Sequence, residues 1–200
     1  MKKISFISPM HNSEQWIDKL IESIPLEYAY EIIFCDDCSS DNTLDKLKEW
    51  QKKIPIIKII SNDKNMGSSY SYNRLVNEVG GEYIAIIDSD DYYLPEIKEI
   101  CKLVVKSKYD IVWYDMIDNQ GRLYDARENG VLWSGCLKMF KRSIVGNARF
   151  GNEGYGDVDF TRQVFMNSKS NFYTNLVAYH YNFPRENSVH DRFVKGELKW

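Results

Sequence analysis

The sequence predicts an α/β protein built on a doubly wound, mostly parallel sheet, and three observations predict it. Short apolar, β-branched runs alternate with amphipathic stretches of helical period through residues 3–115. The first, second and fourth of these runs end in polar or acidic residues, at 8–12, 36–43 and 88–91, and open α/β sheets gather their ligands at the carboxyl ends of their strands. A length of 200 residues, 44% apolar and 28% charged, suits one globular domain, and a chain of that size buries roughly 70% of its unfolded surface without disulfides or metals to staple it.

The elements follow in order. Residues 3–8 read as the first strand. Residues 13–24 place Trp16, Ile17, Leu20, Ile21 and Ile24 on one helical face. Residues 30–35 form a second strand, and residues 41–50 a helix carrying Leu44, Leu47 and Trp50, with Ser40 or Asp41 as its N-cap. A third strand at 56–60 precedes a helix at 68–79 that Gly80 and Gly81 end. The fourth strand spans 83–87; Pro95 opens a helix running to 105, and a fifth strand covers 109–114. After Asp115 glycines punctuate shorter segments, and antiparallel strands and loops are expected there, with a helix at 157–167 and a strand at 171–181. The organisation expected is a single domain over 1–200, with a Rossmann-like half at 1–115 and a smaller antiparallel half at 116–200.

Composition narrows the function. A formal charge of −3 gives no overall electrostatic footprint for nucleic acid. The start, Met-Lys-Lys-Ile-Ser-Phe-Ile-Ser-Pro, is positively charged, but its apolar stretch is broken at Pro9, so it reads as a strand and not as a signal peptide. No run of 18 apolar residues is present. A cytoplasmic protein is expected, with peripheral membrane association through a partner left open. Cys35 and Cys38 have CxxC spacing without a second pair or a nearby His, so they read as reduced structural cysteines, as do Cys101 and Cys136.

The most informative stretch is Tyr83 to Asp91, in which a strand buried on both faces ends in three carboxylates. Asp88 and Asp90 are two apart and point to the same side of an extended chain. Carboxylates this close repel one another, and oxygen ligands suit Mg²⁺ or Mn²⁺, cations that also take oxygens from a substrate phosphate. The alternative is a solvated loop of turn-forming residues. Neither a G-x-G-x-x-G fingerprint nor a P-loop is present, so phosphate would be held chiefly through metal.

Five segments in order then resemble the family 2 glycosyltransferases of the GT-A fold. They are Ile-Ser-Pro-Met-His-Asn near the start, Ile-Ile-Phe-Cys-Asp-Asp-Cys-Ser-Ser-Asp-Asn-Thr, Asn65-Met-Gly67 with Asn73 beyond it, Gly81 to Asp91, and Gly154-Tyr-Gly-Asp-Val-Asp-Phe. The resemblance implies a nucleotide–sugar donor, with uracil the usual base. Pro9 and its neighbours would contact the base by backbone, Asp37 would hydrogen-bond it, and Asn65 and Gly67 would shape a loop beside it. Asp88 would reach ribose or the metal, Asp90 would bind the metal directly, and Asp91 would support the turn. Asp157 matches the general base, although Gly156 stands where the family often has Glu; Asp159 is the alternative base. His180, 23 residues after Asp157, matches a metal-binding His of several members, and His190 is a second candidate. His11 would lie near the nucleotide, Trp133 and Tyr155 would line the acceptor cleft, and Arg185 and Arg192 would meet donor phosphates. Each has an ordinary structural alternative: Asx turn, helix cap, wall residue or solvated charge.

The resemblance therefore implies an inverting, Mn²⁺- or Mg²⁺-assisted glycosyltransferase. It would move a sugar from a nucleotide-diphosphate donor, a UDP-sugar by preference, to a hydroxyl on a saccharide, lipid-linked or polymer acceptor. The alternatives are a non-catalytic nucleotide- or sugar-binding module and a sugar-nucleotide nucleotidyltransferase; the latter usually carries a basic, Gly-rich loop after the first strand, which Ser-Pro-Met-His-Asn is not.

Overall fold

The computed structural model describes residues 3–128, 134–151, 156–186 and 195–196. Trp133, Tyr155, His190 and Arg192 lie outside them. The strands are β1 (Ile4–Met10), β2 (Ala29–Asp36), β3 (Ile57–Ser61), β4 (Tyr83–Ile86), β5 (Tyr92–Tyr93), β6 (Ile111–Asp118), β7 (Leu123–Tyr124), β8 (Lys138–Lys141) and β9 (Asn171–Tyr181). The helices are α1 (Ile17–Ser23), α2 (Thr43–Lys53), α3 (Ser68–Glu78), α4 (Ile97–Lys106) and α5 (Gly156–Asn167).

All nine strands join one sheet in the order β3-β2-β1-β4-β8-β6-β9-β5, with β7 on the edge of β6. The parallel core is β3-β2-β1-β4. The chain winds outward from β1 to β3 and then returns to the other side of β1 as β4. That reversal opens a crevice at the carboxyl ends of β1 and β4, where doubly wound sheets bind ligands. Ile7, Phe34, Ile84 and Ile86 are buried on these strands, as expected of a sheet covered on both faces.

The fifth sequence-predicted strand does not lie beside the fourth. The antiparallel β8 is inserted between β4 and β6, so the second half extends the same sheet and β6 itself runs past residue 115. This insertion could not be read from periodicity, because a four-residue strand carries too little pattern.

The helices bury the faces expected of them. α4 buries Ile97, Ile100, Cys101 and Val104 at helical spacing. α1 begins at Ile17 and not at Ser13, because the preceding turn is tied elsewhere: Ser13 N–H donates to Thr43 Oγ1 at 2.7 Å and Glu14 N–H to Asp41 Oδ2 at 3.2 Å. Asp41 also accepts from Thr43 N–H at 3.0 Å, so it serves the start of α2 from just outside it. Among the described residues no helix is long and apolar enough to cross a membrane.

Phe34 is wholly buried on the central β2, so Phe34→Ala should cost about 3–5 kcal/mol of stability. Urea denaturation monitored by circular dichroism checks this; an unchanged midpoint would contradict the packing described.

Candidate active site

Three strand ends supply the crevice. At the end of β1, His11 Nδ1 donates to the Asp37 carbonyl at 2.9 Å. A carbonyl only accepts, so Nδ1 carries a proton, and Nε2 can accept from Asn65 Nδ2 at 3.1 Å. His11 and Asn65 thus sit together at the crevice rim. Asn12 and Cys38 both adopt positive φ, 50° and 56°. Asn12 is stabilised there because its side-chain oxygen accepts from Ser40 N–H at 2.8 Å. Cys38 is exposed in this turn and Cys35 is buried; all four cysteines are free thiols, and burial pushes the Cys35 thiol above its usual range.

Asp36 and Asp37 separate in role. Asp36 Oδ2 accepts from Ser39 N–H at 3.4 Å, making the turn toward α2. Asp37 is buried and faces the next loop. Its Oδ1 accepts from Asn62 Nδ2 at 2.6 Å and Met66 N–H at 2.8 Å, and its Oδ2 from Gly67 N–H at 2.7 Å. The carboxylate therefore shapes the loop that carries Asn65 and Gly67. Gly67 caps α3 at φ +86°, a conformation that favours glycine. Asn62, which sequence reasoning missed, also donates to Ser71 at 2.9 Å and so ties β3 to α3.

At the end of β4 the three carboxylates are held in three ways. Asp88 accepts from the Tyr72 hydroxyl of α3 and from the Cys136 thiol at 3.3 Å. Burial raises its pKa to about 6; the Tyr72 bond pulls it back, while Asp90 and Asp157 push it up. Asp91 is buried, accepting from the Tyr179 hydroxyl at 2.6 Å and from Asn182 N–H at 2.8 Å. Burial, and then Asp88 and Asp90, hold its carboxyl well above the usual range. Tyr179 also accepts from Asp88 N–H at 3.1 Å, so one phenol on β9 fixes both acids. Asp90 is paired with Arg185, whose Nε and terminal nitrogen lie 2.9 and 2.7 Å from Oδ2.

Asp90 and His180 border one recess of about 120 Å³, together with Trp16, Lys19, Tyr92 and Asn182. His180 pairs with Tyr92 across the strands and stacks on it at 4.3 Å. Its pKa is lowered, first by burial and then by Lys19, and its Nδ1 has no hydrogen-bond partner among the described residues. Asp88 is not among the residues bordering this recess. Among the described residues no three His, Cys, Asp or Glu side chains converge on a metal position.

Asp157 stands exposed in the first turn of α5. Its carboxyl accepts from Val158 N–H at 2.9 Å. Desolvation raises its pKa, and Lys138 pulls it down. The preceding Gly156 leaves no room for a side chain: a Cβ there would come within 2.3 Å of Ser69 Oγ and 2.7 Å of the Gly151 carbonyl. That contact explains the departure from Glu and seats the head of α5 on the head of α3. Three residues along α3, Tyr72 reaches Asp88, so one helix holds Asp88 and packs against the residue before Asp157. Asn73 strengthens the brace, donating to the Phe150 carbonyl at 2.9 Å and accepting Phe150 N–H at 2.8 Å. Asp159 lies against Gly151 instead; a Cβ on that glycine would sit 2.9 Å from its Oδ2.

Tyr72, Tyr179, Cys136 and Lys138 escaped sequence reasoning because each looks like ordinary core. For Lys138 a faint signal existed: a charge inside the apolar run Leu137-Lys138-Met139-Phe140.

The fold is that of the GT-A transferases. It superposes on Staphylococcus aureus TarS 1–349 in complex with UDP-GlcNAc with a TM-score of 0.80, at 22% identity, covering 94% of this chain and 60% of that one. It superposes on the mannosyltransferase PcManGT from Pyrobaculum calidifontis in complex with GDP-Man and Mn²⁺ with a TM-score of 0.71, at 17% identity, covering 98% and 61%. The model of the glycosyl transferase family 2 matches residues 5–169, and the chain belongs to that family. A poly(ribitol-phosphate) beta-glucosyltransferase of Bacillus spizizenii is 32% identical over 149 residues, 70% of this chain and 22% of that protein. A GalNAc(5)-diNAcBac-PP-undecaprenol beta-1,3-glucosyltransferase of Campylobacter jejuni is 27% identical over 213 residues, 94% of this chain and 67% of that protein. The chain spans about a fifth of the Bacillus spizizenii relative.

Burial disfavours the charged form of Lys138 and pushes its pKa down from 10.5 to about 7. Between those values the unfolded chain binds the proton more tightly, so this group makes stability rise with pH through that window. Lys138→Met removes the rise. The variant's stability relative to wild type, from urea denaturation, should be highest below pH 7 and decline toward pH 10.5; a pH-independent difference would contradict the burial of a titrating ammonium.

Proposed function

We propose that this chain transfers a sugar from a nucleotide-diphosphate donor, a UDP-sugar by preference, to an acceptor hydroxyl with inversion at the anomeric carbon. The observation that carries the reading is that α3 holds Asp88 through Tyr72 and packs through Ser69 against Gly156, the residue before Asp157, at the switch point of the sheet. The UDP-GlcNAc complex of a neighbour of the same fold supports the donor class.

In this reading the base lies at the β1 and β2 ends, against the Pro9 backbone. Asp37 acts through the loop it holds, from which Asn65 and Gly67 meet the base beside His11. Asp88 turns toward ribose. Asp157 accepts the proton of the acceptor hydroxyl as its oxygen attacks the anomeric carbon from the face opposite the diphosphate. The bond to the diphosphate oxygen breaks with its electron pair leaving on the nucleotide. Its raised pKa makes Asp157 a stronger base than an ordinary carboxylate, and no covalent enzyme intermediate is required.

A divalent cation fits the donor set. Asp90 and His180 border one recess, a carboxylate and an imidazole suit Mn²⁺, and Mg²⁺ commonly takes one or two carboxylates with the remaining oxygens from phosphate and water. The two would hold Mn²⁺ or Mg²⁺, while Asp88, outside that recess, would serve the ribose. When bound, such a cation neutralises charge developing on the leaving diphosphate.

Asp157→Asn should lower transfer at least a hundredfold, the scale of general-base catalysis, while UDP binding by calorimetry stays near wild type. Transfer at wild-type rate would remove the base assignment. Detection of bound UDP with no nucleotide release by the unaltered protein, across acceptors, would favour a binding module instead.

A further inference from the structure

Lys138 is a charge in a place where charges are costly. Its exposure is 0%, and among the described residues no other lysine or arginine is buried. It lies on β8 opposite Trp113 of β6, with its ammonium 5.0 Å from the centre of the indole ring. Nζ donates to the Ser134 carbonyl and, at 3.1 Å, to Thr161 Oγ1. Both acceptors are neutral, and among the described residues Nζ forms no ion pair with a carboxylate. A buried ammonium with only neutral partners destabilises a fold unless a charge lies close by. Methionine would fill the same space without that penalty.

The charge close by is Asp157. Thr161 follows it by four residues on α5, so the two share a helix face one turn apart, a spacing of about 5–6 Å between Cβ atoms. The hydroxyl that anchors the ammonium thus lies on the helix face that carries Asp157, and the two groups influence each other through charge. The other titratable groups that act with Asp157 across the cleft are Asp88 at the end of β4 and Tyr72 on α3. Cys136, in the turn before β8, faces Asp88 and Lys138. Tyr72 and Cys136 are both pushed up by burial and stay neutral near pH 7. Asp157 pushes the Asp88 carboxyl up, so of this pair Asp157 is the one that ionises first. Among the described residues Lys138 is the cation that balances it.

We infer that Lys138 is a built-in counter-charge for Asp157: its ammonium, fixed on Thr161 one helical turn away, keeps the carboxylate in its proton-accepting form. This rests on the reading of Asp157 as the general base. Lys138 touches neither donor nor acceptor in this scheme; it is a positioning residue that acts through the charge it presents. A sugar hydroxyl needs an ionised base in a partly desolvated cleft, and the cleft by itself drives that base toward its protonated form.

The test is the pH dependence of kcat/KM for UDP-sugar transfer in wild type, Lys138→Met and Asp157→Asn. An opposite charge at this range lowers a carboxyl pKa by about one unit or more. Removing it should move the acid limb of Lys138→Met up by about one unit, so that the loss of rate grows as pH falls, with UDP affinity unchanged. A uniform loss at every pH, with the limb in place, would mean that Lys138 is only a packing residue and would overturn the inference. Should Lys138→Met not fold, Thr161→Val carries the same test through loss of the anchor: a limb shifted in the same direction supports it, and an unmoved limb overturns it. Transfer by Asp157→Asn at wild-type rate would defeat the base reading itself, separately from either outcome.

Discussion

The structure depends on the crowding of Asp88, Asp90 and Asp91 at the end of a buried strand. Three carboxylates within four residues repel one another, and burial penalises the charges of Asp88 and Asp91 further. The fold answers with a different device for each. Asp88 takes a phenol and a thiol, Asp91 takes a phenol and a backbone amide, and Asp90 takes a guanidinium. The partners come from α3, from the turn before β8, from β9 and from the segment after it. Much of the second half is therefore arranged around one turn of the first.

That arrangement explains why the antiparallel additions matter. β8 enters beside β4 and brings Cys136 and Lys138 with it. β9 runs parallel to β6 and returns Tyr179, His180 and Asn182 to the carboxylate turn. The turn at Asn119 fastens the end of this excursion: Asn119 N–H donates to the Phe183 carbonyl at 2.9 Å and its side-chain amide to Asn182 Oδ1 at 2.9 Å. Arg185 is delivered to Asp90 from there. α3 does the corresponding work on the other side, carrying the Asp37 loop at its head, Ser69 against α5 and Tyr72 against Asp88.

The sequence revealed the parallel core because parallel strands buried on both faces write continuous apolar runs, and strands two and four end at their acids. Helix α3 and strand β9 were legible nearly to the residue for similar reasons: Gly67 and the Gly80-Gly81 pair bracket the one, and sustained β-branched and aromatic residues mark the other. The start of α1 was misplaced because its first turn is captured by Thr43 and Asp41, contacts between residues far apart in sequence. The order of strands in the second half was illegible for the same reason. Within the site, Asp88, Asp90 and Asp91 announced themselves by local crowding. Their partners did not, since Tyr72, Cys136 and Tyr179 are residue types that any core would contain. Asp37 was legible as a residue, but its bonds to Met66, Gly67 and Asn62, which order the next loop, were not.

The central claim is that the strand-end acids and Asp157 form one site for a single displacement at an anomeric carbon. The most direct measurement is the anomeric configuration of the product formed from a UDP-α-sugar, read from the coupling of its anomeric proton by NMR. The account predicts a β-linked product with release of UDP. An α-linked product would contradict it, because retention requires a second displacement or a front-face reaction for which Asp157 is not the base described here.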